Sequence, residues 1–233
     1  MSKQRLWITG FFEFALGAIL LFNFSLVGYG FSQLKGQLAI LLNTQPIEEV
    51  LADPAFPDSL KTKLILIQEI RAFAVDSIGI NPSENYTTFY DQKGKDILWV
   101  LTACEPYELK AYEWTFPLLG AVQYKGFFDL EKGKKEEEKI LNSGLDGGLG
   151  RVGAWSTLGF FKDPVLSNML AYEDGNLANL IIHELTHGTL FVKGDVEFNE
   201  NLANFIGDQG AIRFLKQRYG EESAELKEYL ESR

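Results

Sequence analysis

The stretch LANLIIHELTHGTLF, residues 177–191, contains both histidines of this chain of 233 residues. Its apolar residues and its two histidines recur at spacings of three and four, which predicts an amphipathic helix. Asp174 or Asn176 can cap the start of this helix. On one helical face His183 and His187 lie one turn apart, with Cβ atoms about 6 Å from each other.

The five residues His183-Glu184-Leu185-Thr186-His187 have the spacing of a metal site. Two imidazoles one turn apart can both reach one Zn²⁺ at about 2.0–2.1 Å. The glutamate beside the first histidine then faces the open side of the metal, where it can take a proton from bound water. We therefore expect one Zn²⁺ per chain, with His183 and His187 as ligands and Glu184 as catalytic base.

A third ligand is expected from the segment GDVEFNENLANFIGDQGAIRFL, residues 194–215, which has the periodicity of a second helix capped by Asp195. Glu200 is the ligand candidate, with Glu197 or Asp195 as the alternatives. Ala203 provides a small side chain at the point where the two helices are expected to cross. Asn204, one turn after Glu200, is placed to hydrogen-bond a ligating histidine.

Three protein ligands leave the fourth zinc position for water, which is typical of a catalytic site. Glu184 would remove a proton from that water and pass it to the leaving amine of a peptide. A further group should stabilise the oxyanion, and no third histidine exists to do so. The candidates are tyrosines and arginines: Tyr124, Tyr172, Tyr219, Arg151 and Arg213.

Composition excludes one class of partner. The chain has 22 basic and 32 acidic residues and a net charge of −10, whereas nucleic-acid binding needs a basic surface. Cys104 is the single cysteine, so no intrachain disulfide and no cysteine-based zinc knuckle can form.

Residues 1–31 predict a membrane anchor or a signal sequence. An apolar run from Leu6 to Phe31 follows Lys3 and Arg5, and about 20 apolar residues span a bilayer. Basic residues before the run predict a cytoplasmic N-terminus and an extracytoplasmic body on the periplasmic side. A cleaved signal peptide and a buried helix of the body are the two alternatives.

Residues 32–233 predict one α+β domain. Helical patterns cover residues 31–43 and 59–79, short strands are expected between 85 and 128, and LEKGKKEEEKILNSG at 130–144 predicts a charged amphipathic helix. The glycine cluster GLDGGLG at 144–150 precedes an extended piece, RVGAWSTLGFF at 151–161.

The chain resembles the bacterial "putative aminopeptidase" family, zinc metallopeptidases of the gluzincin type, from about Gly36 to Leu215. The resemblance rests on six segments: GQL at 36–38, IQEIRAFA at 67–74, WTFPLLGAVQYKGFFD at 114–129, AWSTLGFFKDPVLSNM at 154–169, HELTHGTLFVKGDVEFNENLA at 183–203 and the stretch around Arg213. It implies a zincin-like core, in which a small sheet with an edge strand packs on the active-site helix and a glutamate helix follows. It also implies a peptide substrate and the same zinc ligands, His183, His187 and Glu200.

By this similarity the edge strand at 153–159, with Ala154, Trp155 and Ser156, would hold the substrate backbone. The chain departs from the family at Tyr29, where members often carry a lipidated cysteine, so a lipid anchor at that position is excluded. No residue visibly selects a free N-terminus over an internal peptide bond. A non-hydrolytic, membrane-tethered protein with a structural or sensing zinc is the alternative function.

Overall fold

Seven α-helices and three small β-sheets make up the part of the chain that the computed structural model describes, residues 24–108, 110–116, 120–152 and 162–233. The helices are α1 (Phe24–Leu41), α2 (Ile47–Ala52), α3 (Asp58–Phe73), α4 (Leu130–Asn142), α5 (Asp174–Thr189), α6 (Val196–Tyr219) and α7 (Ala224–Glu231). The α+β class predicted from the sequence is confirmed.

The strands are short, and they pair within three separate sheets. They are β1 (Gln45–Pro46), β2 (Thr88–Tyr90), β3 (Trp99–Cys104), β4 (Trp114–Phe116), β5 (Gly120–Val122), β6 (Lys125–Phe127), β7 (Asp146–Arg151) and β8 (Val165–Leu166). Strand β2 lies between antiparallel β1 and parallel β8, β3 lies between antiparallel β6 and β7, and β4 pairs with β5.

The glycine cluster at 144–150 contributes most of strand β7. A Cβ atom at Gly147 would lie 3.2 Å from the carbonyl oxygen of Thr102 and 3.0 Å from the Ile140 side chain. Glycine therefore lets β7 run close to β3 on one side and to α4 on the other.

The larger core lies between α3, α5 and the sheet of β1, β2 and β8. Leu64, Ile67 and Ile70 form the apolar stripe of α3 and are fully buried. The helix continues into a wider π-helical turn, Ala74–Ile78, which ends at Gly79 with a φ of 87°. Helix α3 and the sheet of β1, β2 and β8 therefore pack against one buried face of α5.

The predicted anchor, residues 1–31, lies mostly outside the described residues. Within the described ranges, no helix has both the length and the apolar character needed to cross a bilayer. Tyr29 packs on the body of the protein: its hydroxyl donates to the carbonyl oxygen of Gly126 at 2.9 Å, and its ring stacks on Phe116 at 5.7 Å. Helix α1 is thus docked against β6.

Candidate metal centre

Helix α5 carries the first two candidate ligands. It buries Leu177, Ala178, Ile181, Ile182 and Leu185 against the larger core. His187 is 8% exposed, while His183 is partly exposed on the adjoining side. The predicted caps are absent: Glu173 precedes the helix without a side-chain bond. The Asp174 carboxylate instead accepts from Lys63 and from the hydroxyl of Tyr219.

Helix α6 approaches α5 closely because small residues face it. Ala203 is fully buried, as expected for a crossing point. One turn later, a Cβ atom at Gly207 would lie 2.5 Å from Oδ1 of Asn179 and 3.1 Å from Cβ of His183. Only glycine leaves room for the two helices at this distance. The approach brings the side chain of Glu200 within reach of both histidines.

The turn between the two helices is fixed by Asn199. This side chain is 2% exposed and makes two hydrogen bonds to Val192: its Oδ1 accepts from the backbone N–H, and its Nδ2 donates to the carbonyl oxygen, each at 2.8 Å. Asp195 caps α6 by accepting from the N–H of Phe198 at 3.0 Å, as predicted. Asn199, which directly precedes Glu200, is therefore hydrogen-bonded to the turn that follows His187.

Three ligand atoms converge between the helices. Nε2 of His183 lies 3.2 Å from Nε2 of His187. The Glu200 carboxylate lies 3.4 Å from the first of these nitrogens and 3.5 Å from the second. Glu200 is 52% exposed, so the cluster is open to solvent on one side. These three residues form a group that can hold a metal ion.

The surroundings of His183 favour its neutral form. Burial lowers the pKa of this imidazole, the neighbouring His187 lowers it further, and Glu200 and a hydrogen bond with Asn204 oppose the change without cancelling it. Neutral imidazole is the form that binds metals. Asn204 thus hydrogen-bonds His183, the candidate ligand beside which the sequence analysis placed it.

Tyr124, one residue before β6, is close enough to the cluster to feel the charges of Glu200 and Glu184. Burial raises the pKa of its hydroxyl, and the charges of Glu200 and Glu184 raise it further. The residue is 50% exposed, and its raised pKa keeps the hydroxyl protonated as a hydrogen-bond donor. Among the oxyanion candidates, Tyr124 has this electrostatic coupling to both carboxylates.

Tyr86 is a residue that the sequence analysis missed. It is 1% exposed and has a φ of 59°, an unusual conformation for an aromatic residue. Its backbone N–H donates to the carbonyl oxygen of Asp163 at 2.6 Å, and its hydroxyl has no hydrogen-bond partner within the described part of the chain. Burial raises the pKa of this hydroxyl well above its usual value, and Glu184 adds to the effect. Nothing in its sequence neighbourhood indicates such a position.

The other oxyanion candidates lie in different places. Tyr172 lines a cleft beside His183 and Glu184. Arg213 lies 13 residues beyond Glu200 on α6, about 20 Å along the axis, and donates to the carbonyl oxygen of Ser77. This side chain does not reach the cluster. Arg151 lies at the end of β7 beside Asp96, and the Tyr219 hydroxyl is bonded to Asp174.

Two sets of predicted residues do not join the cluster. Asp195 uses its carboxylate as the helix cap, and Glu197 is exposed in the first turn of α6, so neither alternative ligand meets the histidines. The predicted substrate strand, with Ala154, Trp155 and Ser156, lies outside the described residues.

Comparison with protein families matched residues 28–233 to the family described as "putative aminopeptidase". The chain belongs to this family. No curated protein and no solved structure matched the chain. The family points to a peptidase acting on peptides, in agreement with the coarse part of the function predicted from the sequence.

Proposed function

We propose that the protein is a zinc-dependent peptidase. The observation that carries this proposal is that one ligand atom from each of His183, His187 and Glu200 lies within 4.8 Å of the other two, with the two imidazole Nε2 atoms 3.2 Å apart. Three ligands at about 2.0–2.1 Å from one tetrahedral zinc ion lie about 3.3–3.4 Å from one another. Two imidazoles and one carboxylate are also a donor set that zinc accepts in catalytic sites.

Family membership supports the hydrolytic half of the proposal. A zinc ion in this site would lower the pKa of a bound water and polarise the substrate carbonyl. Glu184, beside His183 on α5, would accept the proton of the water and deliver it to the leaving amine. Tyr124 would donate a hydrogen bond to the oxyanion, since its raised pKa keeps the hydroxyl protonated. One zinc per chain is expected.

We also propose that this chain has a zincin-like core. In such a core the metal centre lies between two helices, as the candidate centre does here. Helix α5 carries the histidines and Glu184, and α6 returns the glutamate after a short turn. The sequence resemblance supports the same arrangement.

We also propose that residues 1–31 hold the protein at the periplasmic side of a membrane, or export it there. The basis is the apolar run preceded by Lys3 and Arg5. Fractionation of cells expressing the full chain, with protease added from the periplasmic side, tests this. Recovery of the protein in the cytoplasmic fraction, shielded from protease, contradicts it.

Zinc content of the full-length protein tests the central proposal. The wild type should contain about one zinc per chain, and the His187→Ala and Glu200→Ala variants should contain none. Glu184→Gln should keep the zinc and lose peptide hydrolysis. Zinc retained without Glu200 would contradict the ligand set. Hydrolysis retained by Glu184→Gln would contradict the mechanism, and unfolding on metal removal together with that result would favour a structural zinc.

A further inference from the structure

Helix α1 carries a row of apolar side chains that face away from the protein. Phe31, Leu34 and Leu38 are 69%, 52% and 43% exposed. Leu42, in the turn that continues the helix, is 79% exposed, and its N–H donates to the carbonyl oxygen of Leu38. At about 3.6 residues per turn, these four positions fall within an arc of about 80°. We call these four residues the apolar stripe.

The opposite face of α1 makes polar contacts with the body of the protein. Nε2 of Gln33 and the hydroxyl of Tyr29 both donate to the carbonyl oxygen of Gly126, each at 2.9 Å. A Cβ atom at Gly36 would overlap the side chain of Phe128, so glycine allows the helix to approach this closely. Surface helices usually turn apolar side chains to the core and polar ones to water. Around these residues the arrangement is reversed.

The sequence on either side of the apolar stripe indicates what covers it. The apolar run that begins at Leu6 ends at Phe31, which is the first residue of the stripe. Lys35 is the only charged residue between Glu13 and Glu48, in a chain with 32 acidic residues. A bilayer accepts apolar side chains and disfavours carboxylates, so this composition suits contact with lipid.

Lys35 adds an electrostatic contribution at the edge of the apolar stripe. It is exposed and follows Leu34 directly. A lysine beside an apolar helix face can extend its ammonium group to lipid phosphates while its methylene groups stay among apolar side chains. The protein as a whole has a net charge of −10, which an anionic lipid surface repels. Helix α1 contains no Asp or Glu and is therefore suited to approach such a surface.

A second copy of the chain fits the apolar stripe less well than lipid does. Specific protein interfaces involve about 20–30 residues on each side, whereas the stripe consists of four side chains on a single helix. A lipid surface has no such minimum, because a helix binds it by inserting one apolar face into the headgroup region.

We propose that α1 lies on the surface of a bilayer, with the apolar stripe inserted between the lipid headgroups. The inference rests on the membrane attachment proposed above for residues 1–31, and it is independent of the peptidase function. It extends the membrane contact by about 16 Å, because Leu42 lies 11 residues after Phe31. Strand β6, bound to the opposite face of α1, would then lie about one helix diameter from the bilayer.

The test uses the full-length protein with Cys104→Ala and one new cysteine, Leu38→Cys or Leu42→Cys, that carries an environment-sensitive fluorophore. The vesicles contain phosphatidylethanolamine, phosphatidylglycerol and a nitroxide-labelled lipid that quenches fluorophores in the bilayer. Leu230→Cys, on α7, is the control, because Leu230 is 44% exposed and Leu38 is 43% exposed. Quenching at both stripe positions should exceed that of the control at least about fivefold.

Replacing two leucines of the apolar stripe should detach α1 from lipid. In the Leu42→Cys protein, Leu34→Gln combined with Leu38→Gln should reduce the quenching about fivefold, because two apolar side chains no longer favour the bilayer. The matched control combines Leu141→Gln with Leu230→Gln. It removes two leucines that are 51% and 44% exposed, against 52% and 43% in the stripe, and should leave the quenching unchanged. Equal quenching in the two double variants would overturn the inference.

Flotation of the same samples with vesicles separates this inference from the membrane attachment itself. If the protein floats and neither stripe position is quenched more than Leu230, residues 1–31 attach the protein and the inference about α1 is overturned. If the protein does not float, the attachment and the inference both fail. Stripe positions that are shielded from iodide in water, yet not quenched by the labelled lipid, lie against protein. That result identifies a second copy or residues 1–23 as the occupant and also overturns the inference.

Discussion

The carboxamide of Asn199 hydrogen-bonds both the N–H and the C=O of Val192, each at 2.8 Å. Val192 lies five residues after His187, and Asn199 immediately precedes Glu200. This pair therefore joins the segment that leaves the two histidines to the helix turn that carries the carboxylate. The geometry of the candidate metal centre depends on it.

Asn199→Ala should weaken both the turn and the metal site. The loss of two hydrogen bonds at a buried side chain is expected to cost about 1–3 kcal/mol in the free energy of unfolding. Zinc affinity should fall about tenfold, since Glu200 is no longer held towards the histidines. Urea unfolding of the metal-free protein and zinc titration with a chromophoric competitor measure the two effects.

Asn201→Ala is the matched control, because Asn201 is exposed on the same helix turn. It should leave both quantities unchanged. Equal zinc affinity in Asn199→Ala and the wild type would show that the turn does not position Glu200.

Gly207→Ala should separate the two helices. Alanine usually stabilises a helix interior relative to glycine by about 1 kcal/mol. Here, however, its Cβ would lie 2.5 Å from Oδ1 of Asn179 and 3.1 Å from Cβ of His183. We expect a net loss of about 1–3 kcal/mol in stability and weaker zinc binding, measured as for Asn199→Ala.

Gly188→Ala is the control for backbone effects. Gly188 lies in α5, and within the described part of the chain a Cβ added there would meet no atom within 4 Å, so this variant should be neutral or slightly more stable. If both glycine variants raised the stability, the close contact at Gly207 would not be a constraint.

The sequence predicts those features of the site that depend on residues close together in the chain. The spacing of His183 and His187 and the Asp195 cap depend on a few neighbouring residues, so helical periodicity indicates them. The return of Glu200 follows from a second periodic segment after a short turn. These features needed no knowledge of the rest of the chain.

Tyr86 and Asn179 depend on distant segments. Tyr86 reaches the surroundings of Glu184 because β2 pairs with β8 and its own backbone adopts a left-handed conformation. Asn179 is fixed by Tyr229, 50 residues later. No local pattern encodes such pairings. Arg213 is the converse case. An arginine can stabilise an oxyanion, but the position of Arg213 on the long helix α6 keeps its side chain away from the cluster.

Tyr124→Phe tests the proposed oxyanion donor. Removing the hydroxyl should lower kcat by about 10²–10³, while KM and zinc content stay close to the wild-type values, because the ring remains in place. Steady-state kinetics with a peptide substrate measures the change. The matched variant is Tyr172→Phe, at the other oxyanion candidate in the cleft. A larger loss of kcat in Tyr172→Phe than in Tyr124→Phe would transfer the role to Tyr172.

Glu136 should make stability depend on pH in the acid range. Burial alone would raise the pKa of this carboxyl, but hydrogen bonds and charges from Lys125 and Lys139 outweigh burial and hold the pKa below its usual 4.5. Lys125, next to Tyr124, lies 2.6 Å from Glu136. The ion pair thus links α4 to the strand that follows Tyr124.

Because the folded pKa lies below the unfolded one, the stabilisation is complete above pH 4.5 and disappears as the pH falls through the folded pKa. Glu136→Gln should therefore be less stable than the wild type at pH 7 by about 1 kcal/mol. The two proteins should converge as the pH falls through the folded pKa of Glu136. Urea unfolding at pH 7, 5 and 3.5 measures the difference, and a constant gap across this range would contradict the ion-pair explanation.

Zinc should stabilise the folded protein by mass action without being required for folding. The larger core is buried between α3, α5 and a sheet, independently of the ligand cluster, so the chelated protein should still unfold cooperatively. Free zinc at a hundred times its dissociation constant should add about 2.7 kcal/mol, measured by urea unfolding with and without the metal. Glu200→Ala should lose this increment while its metal-free stability stays near that of the wild type, because Glu200 is 52% exposed. A chelated wild type without a cooperative transition would instead identify a structural metal.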